Sequence, residues 1–178
     1  MPRGTADPER PRIIALAALE VVAEKGVEGL THRAAAAAAG VPLGSTTYHF
    51  GTLDDLLAAA IVEAKKATDA DLATWAAKLG PDTDLVEAVT DYVMHALTHH
   101  WGRTIVEHEL YMAALRRPQL RALSREWDEA FPAVLSKHTD AVTAQTVAIV
   151  IDGMYVRAII HGMPSRGDVE VILRRLLA

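Results

Sequence analysis

Between positions 43 and 49 the chain reads Leu43-Gly44-Ser45-Thr46-Thr47-Tyr48-His49, a run crowded with hydroxyls in a protein that is 51% hydrophobic. Such a segment is a poor core former. Its serine and threonine hydroxyls suit phosphate oxygens or base edges, and a threonine methyl can meet a thymine methyl. Tyr48 and His49 can donate to phosphate oxygens. A polar partner explains this segment better than burial does. A second group has the spacing of a metal site. Asp91, His95 and His99 stand at i, i+4 and i+8, and His100, Glu107 and His108 follow. Two histidines at i, i+4 can hold zinc or another transition metal. An all-α metal-dependent enzyme or metal sensor using the His95/His99 face is therefore the alternative reading. Local spacing fixes no third ligand, so a solvated helix face is preferred and neither metal nor cofactor is assigned. The chain has no cysteine, which removes disulfides, thiolate metal sites and cysteine nucleophiles. No nucleophile–base set is visible, and the chain is read as a non-enzyme.

The elements that must position these residues read as helices throughout. Ala, Leu, Glu and Arg dominate, and strand-like alternation is absent. The expectation is an all-α protein of about nine helices. The first spans about 8–25 and stops at Gly26; Thr31 caps a short second helix ending near Ala39. Gly40 turns the chain sharply, and Pro42 opens a third helix to His49. Thr52 and Asp55 resemble a capping box for a fourth helix reaching about Leu79. Then come 84–100, 103–116 after Gly102, and 118–137 with Pro132 as a kink or break. The last two are 140–161 and 168–177. No apolar run reaches the ~18 residues of a membrane helix. Residues 1–12 are polar and unlike a signal peptide, so a soluble cytoplasmic protein is expected.

Helix, tight turn with Gly40, polar helix: this is the organisation of a helix-turn-helix, whose second helix enters the major groove. Net charge is −5, but positions 1–52 carry five Lys/Arg and five Asp/Glu, against thirteen and eighteen in the remainder. All the acidity lies outside the first segment, which is compatible with DNA binding there. The stretch GLTHRAAAAAAGVPLGSTTYHFGTLDDLL, from Gly29 to Leu57, resembles the DNA-binding signature of the tetracycline-repressor (TetR) family. Val41, Gly44, Ser45, Tyr48, His49 and Phe50 fall in register, and the preceding AALEVVAEKGVEG is similar to the family's first helix. ELYMAALRRPQLRAL, from Glu109, is similar to a C-terminal domain type of some members. Three positions depart from the pattern. Thr47 stands where a second tyrosine is common, Pro42 where serine is, and Leu53 where lysine is. Arg33 and an N-terminal arm with Arg3, Arg10 and Arg12 could compensate. The resemblance implies DNA contacts by Thr31, His32, Arg33, Gly44, Ser45, Thr46, Thr47, Tyr48 and His49.

It also implies a division into a DNA-binding domain, 1–52, and an effector-binding and dimerisation domain, 53–178. The function implied is a ligand-responsive regulator, a repressor by first choice. It would bind a palindromic double-stranded operator as a homodimer and be released by a small organic effector. The eighth helix is apolar nearly all round and must be buried on several sides. Dimerisation through the last two helices satisfies that, with Gly153 permitting close approach. Asp152 and Arg157 do not face each other on one helix. A cross-dimer ion pair, the ligand cavity for Asp152, and solvent at the helix edges are all open to them. Effector-site candidates are Tyr92, His95, His99, Trp101, Met112, Trp127, Asp152 and Tyr155, drawn from the aromatic, soft and polar groups of the middle helices.

Overall fold

A computed structural model describes residues 7–177. Among the described residues there is no strand. The described residues form ten α-helices and two 3-10 turns: α1 (Arg10–Lys25), a turn at Val27–Gly29, α2 (His32–Ala38), α3 (Leu43–His49), α4 (Leu53–Ala76), α5 (Leu85–His99), α6 (Trp101–Ala113), a turn at Pro118–Leu120, α7 (Arg121–Asp128), α8 (Ala130–Leu135), α9 (Ala141–His161) and α10 (Arg166–Leu177). The chain divides into two compact units. One comprises residues 7–67 and 109–124; the other comprises 68–108 and 125–177.

In the first unit, α1 buries Ile14, Ala18, Val21 and Val22 at helical spacing. It ends because Gly26 takes φ +70, with its N–H bonded to the Val22 carbonyl. Thr31 caps α2, its Oγ1 accepting from the Ala34 amide at 3.0 Å. The buried side of α2 is alanine alone, Ala35 and Ala36. The helix closes in a Schellman arrangement. Gly40 has φ +64, Val41 N–H donates to the Ala36 carbonyl, and Gly40 N–H donates to the Ala37 carbonyl. This turn aims α3, which packs against α1 and α2. Thr52 and Asp55 form a reciprocal capping box at the start of α4, at 2.9 and 3.1 Å. Leu56, Leu57, Ala60 and Ile61 then complete the core.

In the second unit, Asp84 caps α5 by accepting from the Val86 and Glu87 amides, and α5 packs on α10. Val86, Val89, Val93 and Leu97 of α5 share a core with Val147, Ile151 and Tyr155 of α9 and with Leu173 of α10. α9 is long and apolar enough, by length and composition alone, to cross a bilayer. The expectation that no apolar run reaches that length is corrected here, although Asp152 and Arg157 interrupt the helix. Burial of one side of α9 in this core accounts for much of its apolar character.

Three further expectations are corrected. Gly102 does not separate two helices; it is the second residue of α6, where a first-turn amide has no helical acceptor to lose. The expected helix over 118–137 is a 3-10 turn and two short helices. Pro132 is the cause: its ring would meet the carbonyl four residues back, at Asp128, and α7 ends at that residue. The last helix starts at Arg166 rather than Asp168, because Ser165 and Asp168 cap it reciprocally at 3.2 Å.

Candidate nucleic-acid interface and sensor residues

The expected contact residues of the first unit separate by exposure. Thr31 and Arg33 are exposed at the start of α2, while His32 is half-buried with its Nδ1 enclosed and unpartnered. On α3, Gly44, Thr47 and Tyr48 are exposed, and Ser45 and His49 are half-buried. Tyr48 is 78% exposed, its ring edge-on to His49 at 5.1 Å. Thr46 differs from expectation. It is fully buried, and its hydroxyl donates to the Leu43 carbonyl at 2.7 Å. It faces the inside of the module, so its polarity marks a satisfied core position rather than a contact.

Leu43 lies outside the expected contact set. It is 42% exposed and lies on the same side of α3 as Thr47, one helical turn on. Gly44 needs no special backbone angle, and a Cβ added there would meet nothing within 4 Å. Glycine in a helix is costly relative to alanine. Nothing among the described residues demands it at this position.

In the second unit the aromatic side chains gather. Trp75 stacks on Phe131 at 5.5 Å, and Tyr92 lies 5.0 Å from Trp75 and 5.3 Å from Phe131. Trp75 is fixed by its indole N–H, which donates to the Ala88 carbonyl at 3.0 Å. Of this trio only Tyr92 belonged to the expected effector set. Burial, reinforced by the nearby Glu107 carboxylate, pushes the Tyr92 hydroxyl up to about 12. Glu107 accepts from the Thr68 hydroxyl at 2.5 Å and pairs with Arg103 at 3.4 Å, and Arg103 also pairs with Asp71. Burial still outweighs these partners and raises the Glu107 carboxyl above the usual range. Tyr155 is buried, its ring edge-on to His108 at 5.5 Å, and desolvation holds its hydroxyl well above the ordinary value. Asp152 keeps more than a third of its surface, yet its carboxyl is close enough to protein atoms that desolvation raises it to about 6.

The other expected residues are more scattered. Trp101 packs half-buried on the core of this unit, and Trp127 is half-buried on α7. His95 and His99 are exposed on α5 with rings stacked at 4.8 Å, and His95 Nε2 lies 3.1 Å from His100 Nε2. Among the described residues no group of three or more His, Asp or Glu side chains could hold a metal ion. Met112 belongs to the first unit, where it is 53% exposed beside a shallow cavity of about 200 Å³ with Glu28, Glu109 and Arg116.

A family profile for bacterial regulatory proteins, tetR family, matches residues 14–60. A profile for the tetracyclin repressor-like C-terminal domain matches residues 80–178. A search of curated proteins returns no significant match. Among solved structures, the multidrug binding protein EbrR complexed with ethidium is 41% identical, with a TM-score of 0.87 over 96% of this chain and 99% of that one. The same protein has been solved complexed with imidazole, proflavin and malachite green. A TetR-family member from Streptomyces coelicolor A3 is 40% identical, with a TM-score of 0.85 over 95% of this chain and 98% of that one.

Proposed function

Since the chain belongs to the TetR family of bacterial transcriptional regulators, we propose that it is a repressor whose homodimer holds a palindromic operator and lets go when an aromatic cation binds its second unit. The observation that carries this reading is the outward side of α3. Thr47 and Tyr48 are exposed there on a helix held from behind by buried Thr46 and Phe50. Thr31, Arg33, Ser45 and His49 flank that side as phosphate contacts, and His32 supports it from its half-buried place. The DNA-binding function is assigned to 1–52 and the sensor and dimer functions to 53–178.

Dimerisation through α9 and α10 has a physical basis. Val142, Ile149, Val156 and Ile160 recur along one side of α9, 44–76% exposed, and Val171 and Ile172 of α10 are 64% and 43% exposed. An apolar stripe of this length is expected to be covered in solution. Gly153 stands on that side, and a Cβ there would meet nothing within 4 Å. A second copy of α9 can approach closely at that point. Two recognition helices about one DNA turn (~34 Å) or a multiple apart then read a two-fold site, in the cytoplasm where such a site lies.

The effector class follows from chemistry. Ethidium, proflavin and malachite green, with which EbrR has been solved in complex, are aromatic cations. The second unit here offers a stacked Trp75–Tyr92–Phe131 group and the acidic Glu107 and Asp152. Aromatic faces and carboxylates both attract such cations. The ligand must favour the released state by a few kcal/mol to act.

The test is fluorescence anisotropy on duplexes tiled across the DNA upstream of the gene. Tyr48→Ala and Arg33→Ala should each weaken binding while leaving the oligomer intact. If both bind like the parent, the contact surface is misassigned. Malachite green titrated into DNA-free protein should quench tryptophan fluorescence. No quenching would remove the effector class and leave DNA binding standing.

A further inference from the structure

Base edges in the major groove are read by a small vocabulary. Arg or Lys reads guanine, Asn or Gln reads adenine, Asp or Glu accepts from cytosine, and Ser or Thr hydroxyls can serve as single donors or acceptors. None of the charged or amide readers occurs between Pro42 and Phe50, and of the hydroxyl residues there Thr46 is buried and Ser45 half-buried. What α3 presents outward is Leu43, Gly44, Thr47 and Tyr48, all exposed and spaced i, i+1, i+4, i+5 on one side. The Thr47 hydroxyl is turned back on its own helix, 3.4 Å from both the Leu43 and the Gly44 carbonyls. That leaves its methyl group as the outward offering. Leu43 is an apolar side chain kept at the surface. Gly44, between them in the sequence, adds no bulk. Arg33 is on α2, the helix that crosses the phosphate backbone in this motif, which assigns its charge to phosphate.

Thymine is the base with an apolar group on the major-groove edge. We propose that Leu43 and Thr47 read thymine C5-methyl groups, so that α3 selects its half-site by apolar contact rather than by paired hydrogen bonds. Gly44 brings the helix backbone close enough for those two short side chains to reach. The proposal rests on the DNA-binding reading of α3.

The purified full chain is used to select duplexes from a randomised pool. The best duplex is then remade with deoxyuridine replacing thymine at one position at a time. Deoxyuridine keeps every hydrogen-bonding atom and removes only the methyl. Each contacted methyl should cost about fourfold in affinity. Leu43→Ala should keep its melting temperature and bind the thymine and uracil duplexes equally at one of those positions. Equal binding of all deoxyuridine duplexes by the parent would overturn the proposal. So would a Leu43→Ala protein that keeps the full thymine preference everywhere, which would trace the effect to DNA shape. Failure to select any duplex would overturn the DNA-binding reading itself, and this proposal with it.

Discussion

Gly44→Ala should move stability and DNA affinity in opposite directions. Position 44 is the second residue of α3 and has no positive φ. The added methyl meets nothing within 4 Å. Replacing glycine where the backbone tolerates alanine stabilises by about 0.4–1 kcal/mol, through the unfolded chain. At this chain length 1 kcal/mol moves Tm by roughly 2–4 °C, so Tm should rise by about 1–4 °C. On DNA the same methyl enters a close-packed interface. Overpacking costs about 1–3 kcal/mol, or roughly five- to 150-fold in Kd. Thermal melting at one fixed protein concentration gives the first number, and anisotropy at two salt concentrations gives the second. The salt slope should not change, since no phosphate contact is lost. A variant that binds DNA like the parent would refute the placement of Gly44 at the interface. A variant that melts lower would refute the argument that nothing among the described residues requires glycine there.

Three further outcomes are expected. Thr46→Val keeps the shape of the buried side chain but loses its 2.7 Å hydrogen bond; thermal unfolding should show a loss of about 1 kcal/mol, with unchanged DNA affinity for the folded protein. Ile149→Asp places a carboxylate in the middle of the exposed stripe of α9; sedimentation should show a monomer with native helix content, and an unaltered dimer would move the interface elsewhere. Asp152→Asn should flatten the pH dependence of stability. The folded-state value of Asp152, about 6, lies above its ordinary 3.8. The folded protein therefore holds the extra proton between those values, and its stability falls as pH rises through that window. The variant should be more stable than the parent at pH 7.5, and it should bind a cationic dye less tightly than the ionised parent does.

The DNA-binding module was legible because its instructions are local. Thr31, Gly26, Gly40 and the Thr52–Asp55 pair each act within four residues, and each forms the cap or turn expected of it. Thr46 was misread for a geometric reason. In a seven-residue helix one position faces inward, and a threonine can go there once its hydroxyl finds a carbonyl of its own turn. The Pro132 break was expected as an alternative but placed too late, since the clash acts four residues upstream. The aromatic group could not be read from spacing. Trp75, Tyr92 and Phe131 come from three helices, and only tertiary packing decides that they meet.

The alanines of α2 carry one more consequence. Ala35 and Ala36 are its entire buried side, and neither has a rotamer to choose. Longer side chains lose up to about 2 kcal/mol of rotational freedom when immobilised, and association is weakened wherever such freezing accompanies it. The support beneath the recognition helix has almost none left to lose. On the proposed DNA-binding reading, the side-chain entropy surrendered on docking therefore falls on outward side chains such as Tyr48 and Leu43 rather than on α2.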